Sequence, residues 1–258
     1  MSKPESVPLA DLVAHIQRRL GPDRFRDYDG AVNGLQFEND GRVRRIGAAV
    51  DGTPAVVELA CQAGCDLLLV HHGLFWSPTV PWIGKRAELI RRLVRGNLAV
   101  YSQHLPLDGH PELGNAAGLA KALGFRRWKP FFAHQEVHFG VQVRLSRPIP
   151  REELAQRLAG VVGRMPTILP GGGGSCERIG ICTGGAGAEM GKALAEGVDT
   201  FITGEGPHWT FAMAEEMGLN VFYAGHYATE VFGVKALAAE LSERFGVPWE
   251  FLDHPTGL

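Results

Sequence analysis

The tightest constraint on the fold is that one stretch of the chain is written twice. RIGAAVDGTPAVVELACQAGCDLLLVHHGLFW, starting at Arg45, aligns without a gap to RIGICTGGAGAEMGKALAEGVDTFITGEGPHW, starting at Arg178. Arg45, Ile46, Gly47, Gly52, Ala55, Ala60, Gly64, Asp66, Gly73 and Trp76 meet identical residues in the second copy, which ends on Trp209. Each copy reads as strand, glycine turn, helix, Gly-x-Asp, strand. Any two βαβ units share that rhythm, but rhythm alone does not repeat a Gly-x-Asp step and a closing Trp. A second pair of segments extends the match. VYSQHLPLD (Val100 to Asp108) lies over FYAGHYATE (Phe222 to Glu230), setting His104 and Asp108 against His226 and Glu230.

The periodicity around the copies is consistent with this. Ile46 to Val50 reads as a strand, Pro54 to Ala63 as a helix with Pro in its first turn, and Leu67 to Val70 as a short buried strand. Lys85 to Arg95 is helical, Leu98 to Ser102 a strand, and Gly114 to Leu123 a helix closed by Gly124. Val137 to Leu145 alternates as a half-exposed strand does. Strands alternating with helices of this length predict α/β layers with mostly parallel sheets. The tract Pro170-Gly171-Gly172-Gly173-Gly174-Ser175 lacks the Lys-Ser/Thr of a phosphate-binding loop and reads as a mobile connector.

Composition excludes several classes. The 258 residues are 45% hydrophobic, enough for a full core, and carry a net charge of -2. No broad basic face for nucleic acid is implied. The basic residues Lys85, Arg86, Arg91, Arg92 and Arg95 alternate with Leu89, Ile90, Leu93 and Val94, as on the wet side of an amphipathic helix. The four cysteines show no zinc-ribbon spacing and read as buried reduced thiols. MSKPESVPLADLVAHIQRRL has no apolar leader core, and no run approaches the roughly 18 apolar residues of a spanning helix. A soluble, cytoplasmic protein is expected.

Chemistry gathers at strand ends. His71-His72, His104 to Asp108, Gly204-Glu205 and His226 to Glu230 each follow a strand, where open α/β sheets collect ligands. They are expected to converge where the halves meet. Adjacent residues of a strand face opposite ways, so His71 and His72 would serve two different ions. His71, His72, Asp108, His226 and Glu230 form a candidate metal set of imidazoles and carboxylates, suited to zinc, iron, manganese or cobalt. His104, His110, Glu205 and His208 are weaker candidates for orienting or proton-shuttling roles. His15, His134, His138 and His254 offer no partner spacing. The turn DGTPAV is not the Gly-x-Gly-x-x-Gly of a dinucleotide binder.

VHHGLFW, VYSQHLPLDGHPELGNAAGLA and AGHYATEVFGVKAL closely resemble the NIF-three-like dinuclear-metal proteins, also called GTP cyclohydrolase I type 2 homologues. AVNGLQFEND (Ala31 to Asp40) and TGEGPHW (Thr203 to Trp209) match further elements, so the resemblance covers nearly the whole chain. It implies two interleaved, internally duplicated α/β halves, here expected as 1–130 plus 220–258 and as 131–219. It also implies two divalent ions, one held by His72, Asp108 and Glu230, the other by His71, His226 and the shared Glu230. A toroidal homohexamer is implied as well. Only Val137 to Pro170 separates the halves, which is the short form without the central insert of longer relatives.

The expected function is dinuclear metal-dependent hydrolysis of a small anionic, nucleotide-like substrate. Two divalent ions about 3.5–4 Å apart activate water near neutral pH and polarise the attacked group. Two carboxylates leave the pair of ions with residual positive charge for an anion. His104 and His208 are the candidate acids. The alternative is a non-catalytic hexameric scaffold that handles metal or binds a partner.

Overall fold

The computed structural model describes residues 6–76 and 80–258. The first five residues of the stretch searched for a leader lie outside the described residues. The fold is mixed α/β and divides into two compact units, each made from separate pieces of chain. One gathers the chain up to Leu107 with Gly233–His254, the other Asp108–Phe232 with Pro255–Leu258.

In the first unit, β1 (Val7–Pro8) leads into α1 (Leu9–Leu20), whose Leu9, Leu12, Ile16 and Leu20 are buried at helical spacing. Strands β2 (Gly34–Phe37) and β3 (Arg42–Val43) precede β4 (Ile46–Asp51), α2 (Pro54–Gln62), β5 (Leu67–His72), α3 (Lys85–Gly96), β6 (Ala99–Ser102) and the short α4 (Leu105–Asp108), whose last residue already belongs to the second unit. The strand Trp249–Phe251, β4, β5, β6 and β2 make one sheet in that order, parallel except for β2 against β6. Val56, Val57 and Ala60 of α2 and Leu89 and Leu93 of α3 share a core with Leu68, Val70 and Val100 of the sheet. The arginines of α3 stay on its wet side, where Arg92 pairs with Glu58.

The second unit contains α5 (Asn115–Ala122), β7 (Lys129–His134), β8 (Val137–Pro150), α6 (Arg151–Val162), β9 (Thr167–Pro170), β10 (Ser175–Ile181), α7 (Met190–Ala195), β11 (Thr200–Thr203), α8 (Thr210–Met217), β12 (Asn220–Tyr223) and the start of α9 (His226–Phe245). Its sheet runs β7-β8-β10-β11-β12-β9. The three strands β10, β11 and β12 are parallel, while the outer pairings are antiparallel. This sheet is therefore more mixed than the sequence pattern suggests.

The unit boundaries also differ from the expected spans. α5 falls on the far side of the first boundary because Ala116, Ala117, Leu119 and Ala120 pack in the second core. β12 does so because it is an interior strand of the second sheet. The glycine tract is not a loose connector. A Cβ on Gly171 would meet the Ala214 carbonyl oxygen at 1.9 Å, and Gly173 and Gly174 carbonyls accept from Asn220 Nδ2 and Arg151 N. Glycine is needed there for close approach of two backbones.

The duplication is visible in hydrogen bonds. β4 pairs Ile46 with Leu67 of β5, and β10 pairs Ile179 with Thr200 of β11, which are equivalent positions in the alignment. The Gly-x-Asp step explains itself. Gly64 and Gly197 take left-handed φ values of 68° and 82° to leave the helix. Asp66 then accepts from the amides of Arg44 and Arg45 at 2.7 and 3.1 Å, and Asp199 from those of Glu177 and Arg178 at 3.1 and 2.8 Å. Asp66 thus clamps the lead-in to β4, and Asp199 the equivalent residues within β10. The second pair of segments, however, is displaced by one residue. Ala99 and Asn220 occupy the same pairing position, which sets Leu105 at the head of α4, rather than His104, against His226 at the head of α9.

Since the two clamps share one geometry, Asp66→Ala and Asp199→Ala should each lower stability by about 1.5–3 kcal/mol, the worth of hydrogen bonds to a charged acceptor. Urea unfolding of both variants checks this, and a loss within error at either site would remove the clamp as a structural determinant.

Candidate metal centre

Strand β5 runs through both histidines, so His71 and His72 are its last residues and not a tail behind it. His71 is wholly buried, and its Nδ1 lies 3.0 Å from the carbonyl oxygen of Gln103, just past β6. His72 Nδ1 lies 2.8 Å from Asp51 Oδ1 at the end of β4. His104 Nδ1 lies 2.8 Å from Asp27 Oδ1. Carbonyl and carboxylate oxygens accept, so each Nδ1 carries the proton and donates it. In the neutral ring each Nε2 then keeps its lone pair. Instead of facing apart, the His71 and His72 rings sit 4.8 Å centre to centre, and His104 is 4.9 and 5.5 Å from them. Each of the three rings offers a ligand atom within 4.8 Å of the others.

Asp27 is the anchor of this cluster. Its Oδ1 accepts from Tyr28 N at 2.7 Å and from His104, and its Oδ2 from Asn33 Nδ2 at 2.7 Å and Leu105 N at 3.1 Å. Burial alone would raise its pKa. The hydrogen bond and charge of His104, with Asn33 and the Tyr28 amide, outweigh burial and hold the carboxyl at about 2. Asn33 Oδ1 also accepts from His104 N, and Gln36 Oε1 from Leu74 N. The Asn-Gly-Leu-Gln element thus fastens the backbone beside two strand ends.

In the second unit His226 opens α9, with Nδ1 2.8 Å from Glu205 Oε1 and Nε2 3.2 Å from Glu230 Oε2 one turn on. The hydrogen bond to Glu230, joined by the charges of Glu230 and Glu205, overcomes burial and lifts the imidazole pKa to about 9. A proton on Nε2 is what lets this ring face a buried carboxylate, and a cation would do the same. Gly184, at φ 68°, lies beside the pair. A Cβ there would come within 2.3 Å of Glu230 Oε1. Thr229 Oγ1 accepts from Gly184 N, and the Gly184 carbonyl accepts from the Gly204 and Glu205 amides, so this close approach is built in.

The remaining candidates divide. Asp108 ends α4 and accepts from Asn115 Nδ2 at 2.8 Å. His110 is of the opposite tautomer, because its Nδ1 accepts from the Glu112 and Leu113 amides and its Nε2 must carry the hydrogen when the ring is neutral. His208 is exposed on the turn before α8. Among the described residues, neither Asp108 nor His208 belongs to a tight cluster of metal-type donors. Sequence reasoning missed Asp27, Asp51 and Gly184. Asp51 and Gly184 are equivalent positions of the repeat, and that contrast was a readable signal. Asp27 stands 77 positions from its histidine and gave none.

The donor set, neutral imidazole nitrogens with carboxylate oxygens, fits a borderline divalent cation. Fold and site define an α/β protein with metal-type donors at its strand ends. The chain belongs to the Duf34/NIF3 (NGG1p interacting factor 3) family, whose model matches residues 7–256. A GTP cyclohydrolase 1 type 2 homolog of Deinococcus radiodurans is 41% identical over 230 residues, 89% of this chain and 88% of its own. Its namesake in Halobacterium salinarum is 41% identical over 257 residues, 98% and 100% of the two chains. The crystal structure of TTHA1606 from Thermus thermophilus matches with TM-score 0.89 at 40% identity, covering 98% of this chain and all of that one. Reduced HcgD from Methanocaldococcus jannaschii, at 23% identity and TM-score 0.84 over 96% and 99% of the chains, shares the fold.

Two titrations test the site. Asp27 has a folded pKa below its ordinary 3.8, so its contribution is complete above that value and is lost as pH falls through about 2. Asp27→Asn should lower stability by about 2 kcal/mol at neutral pH and by much less in strong acid, read by urea unfolding. A pH-independent loss would contradict the charge pairing. His226, raised from 6.5, adds stability that is full below 6.5 and vanishes as pH rises through about 9. Chemical-shift titration of the metal-free protein should find that high midpoint, and Glu230→Gln should bring it down.

Proposed function

We propose that the protein is a dinuclear metal-dependent hydrolase acting on a small anionic, nucleotide-like substrate. His71, His72, Asp108, His226 and Glu230 are its metal ligands in this reading. The observation that carries the proposal is the shared tether. His71, His72 and His226 each give Nδ1–H to an oxygen acceptor and direct Nε2 elsewhere, the arrangement that raises imidazole basicity and fixes a ligating ring. Bound divalent ions supply Lewis acidity toward a C=N, C=O or P–O group and bring water into the neutral pKa range.

The chain's own residues then divide the work. Glu230 and Asp108 contribute charge, and the Asn115 amide keeps one Asp108 oxygen oriented. His104 takes or gives a proton at Nε2, and its tether to ionised Asp27 stabilises the imidazolium that results. His208, on an exposed turn, is assigned no step. The name that the relatives carry, GTP cyclohydrolase 1 type 2 homolog, supports a nucleotide-like substrate and ring hydrolysis. The protein acts as a homo-oligomer in this reading, a hexameric ring; exposed apolar side chains in each unit, Trp82 and Ile83 in one and Trp209 and Phe211 in the other, support self-association. Four free cysteines support a reducing, cytoplasmic setting. Among the described residues no helix is long and apolar enough to cross a membrane.

Elemental analysis and an activity panel test the reading together. The wild-type protein should bind two divalent ions per chain and hydrolyse at least one nucleotide or phosphoester in a metal-dependent way. Glu230→Gln should reduce both metal content and turnover by about tenfold or more. A metal-replete protein inert across the panel, with metal content untouched by Glu230→Gln, would end the proposal.

A further inference from the structure

Two large exposed aromatic rings lie beside the histidine cluster. Trp76 is 43% exposed and Tyr28 63%. The Trp76 ring lies 5.0 Å from His104 at an interplanar angle of 89°, and 5.9 Å from His72. Tyr28 lies 5.8 Å from His104. A scattered exposed aromatic is ordinary on a protein surface. Two that flank one imidazole, which itself adjoins two more, form a rim around a polar centre.

Both rings are carried on fastened backbone. The Tyr28 amide is bound to Asp27 Oδ1, and the Tyr28 carbonyl accepts from Ala31 N to close a turn. Asp27 in turn holds His104 and Leu105 N. Trp76 follows His72 by four residues, after Gly52 N has bound the His72 carbonyl and Gln36 has bound Leu74 N. Ordering such a ring in advance lowers the entropy lost when a ligand stacks on it.

We infer that Trp76 and Tyr28 form an aromatic rim that stacks a planar nitrogen heterocycle of the substrate, and so select nucleotides over other small phosphates. The inference rests on the histidine cluster being the reaction centre proposed above. An apolar π-face beside lone-pair nitrogens suits a molecule with a flat ring at one end and polar, reacting atoms near it. Stacking on an aromatic side chain is sequence-tolerant and contributes to affinity without any hydrogen-bond reading of the base. Both rings are positioning residues and touch no reacting bond.

Guanosine 5′-monophosphate and ribose 5-phosphate share the same phosphate and differ by the base, so calorimetric binding of each to the full-length protein isolates the rim. The wild type should bind the nucleotide at least tenfold more tightly. Trp76→Ala and Tyr28→Ala should each weaken nucleotide binding by about 5- to 100-fold, leaving ribose 5-phosphate affinity and metal content unchanged. Trp76→Phe should retain most of the preference. Equal affinities for the two probes in the wild type, no binding of either, or a preference undiminished in both alanine variants overturns the rim. Because stacking requires no ion, the preference should persist in metal-free protein. A preserved preference with no metal-dependent turnover would sink the hydrolase reading while leaving the rim in place.

Discussion

Every candidate ligand imidazole is fastened through Nδ1 to an oxygen that accepts, and the rest of the site follows from that bond. The fastening oxygens come from neighbouring strand ends: Asp51 at the end of β4 for His72, Gln103 past β6 for His71, and Glu205 past β11 for His226. Parallel strands bring their carboxyl ends to one edge, and adjacent strands lie about 4.8 Å apart, within reach of a single side chain. A parallel sheet therefore provides both ring and tether without any long loop. His110 shows the contrast. Backbone amides donate to its Nδ1, so its Nε2 carries the hydrogen when the ring is neutral, the tautomer opposite to that of the tethered rings.

Duplication supplied two such edges and then divided their roles. The backbone of the repeats is unchanged in pairing register and in its aspartate clamps, whereas the strand-end positions have parted. Asp51, which orients His72, is replaced in the second copy by Gly184, where any side chain would collide with Glu230. His72 is replaced by Glu205, which orients His226. A candidate ligand position in one copy is thus a tether position in the other. Backbone hydrogen bonds constrain the scaffold tightly and leave the terminal side chains free to change, which is why identity between the copies collapses at the residues that carry chemistry.

This pattern explains what was legible beforehand. The strands, helices and repeat were readable because each depends on local periodicity and on glycine or aspartate at fixed steps. The metal-type residues were readable because imidazoles at buried strand ends are conspicuous. Asp27 was not, since nothing local ties it to His104 and the contact is made by folding alone. The one-residue displacement between VYSQHLPLD and FYAGHYATE was hidden because His-x-x-x-carboxylate is a stronger visual match than the strand pairing that decides equivalence. The glycine tract misled for a related reason: four glycines suggest freedom, but the same absence of side chains permits contact with a neighbouring backbone.

Cys182 completes the electrostatic argument. Burial, followed by the charges of Asp108, Glu189 and Glu230, pushes its thiol pKa well above the ordinary value. It therefore stays protonated, and a protonated thiol is a poor ligand. The same Glu230 charge draws a proton onto His226. Burial, with Asp108, Glu189 and Glu230, thus disfavours sulfur ligation at Cys182, while Glu230 readies the adjacent imidazole to exchange its proton for a cation. Oxygen and nitrogen donors remain, and such a set favours borderline divalent ions over soft, sulfur-seeking ones. Selectivity of this kind needs no cavity of special size, since it is written in which neighbouring groups burial and the nearby carboxylates leave protonated.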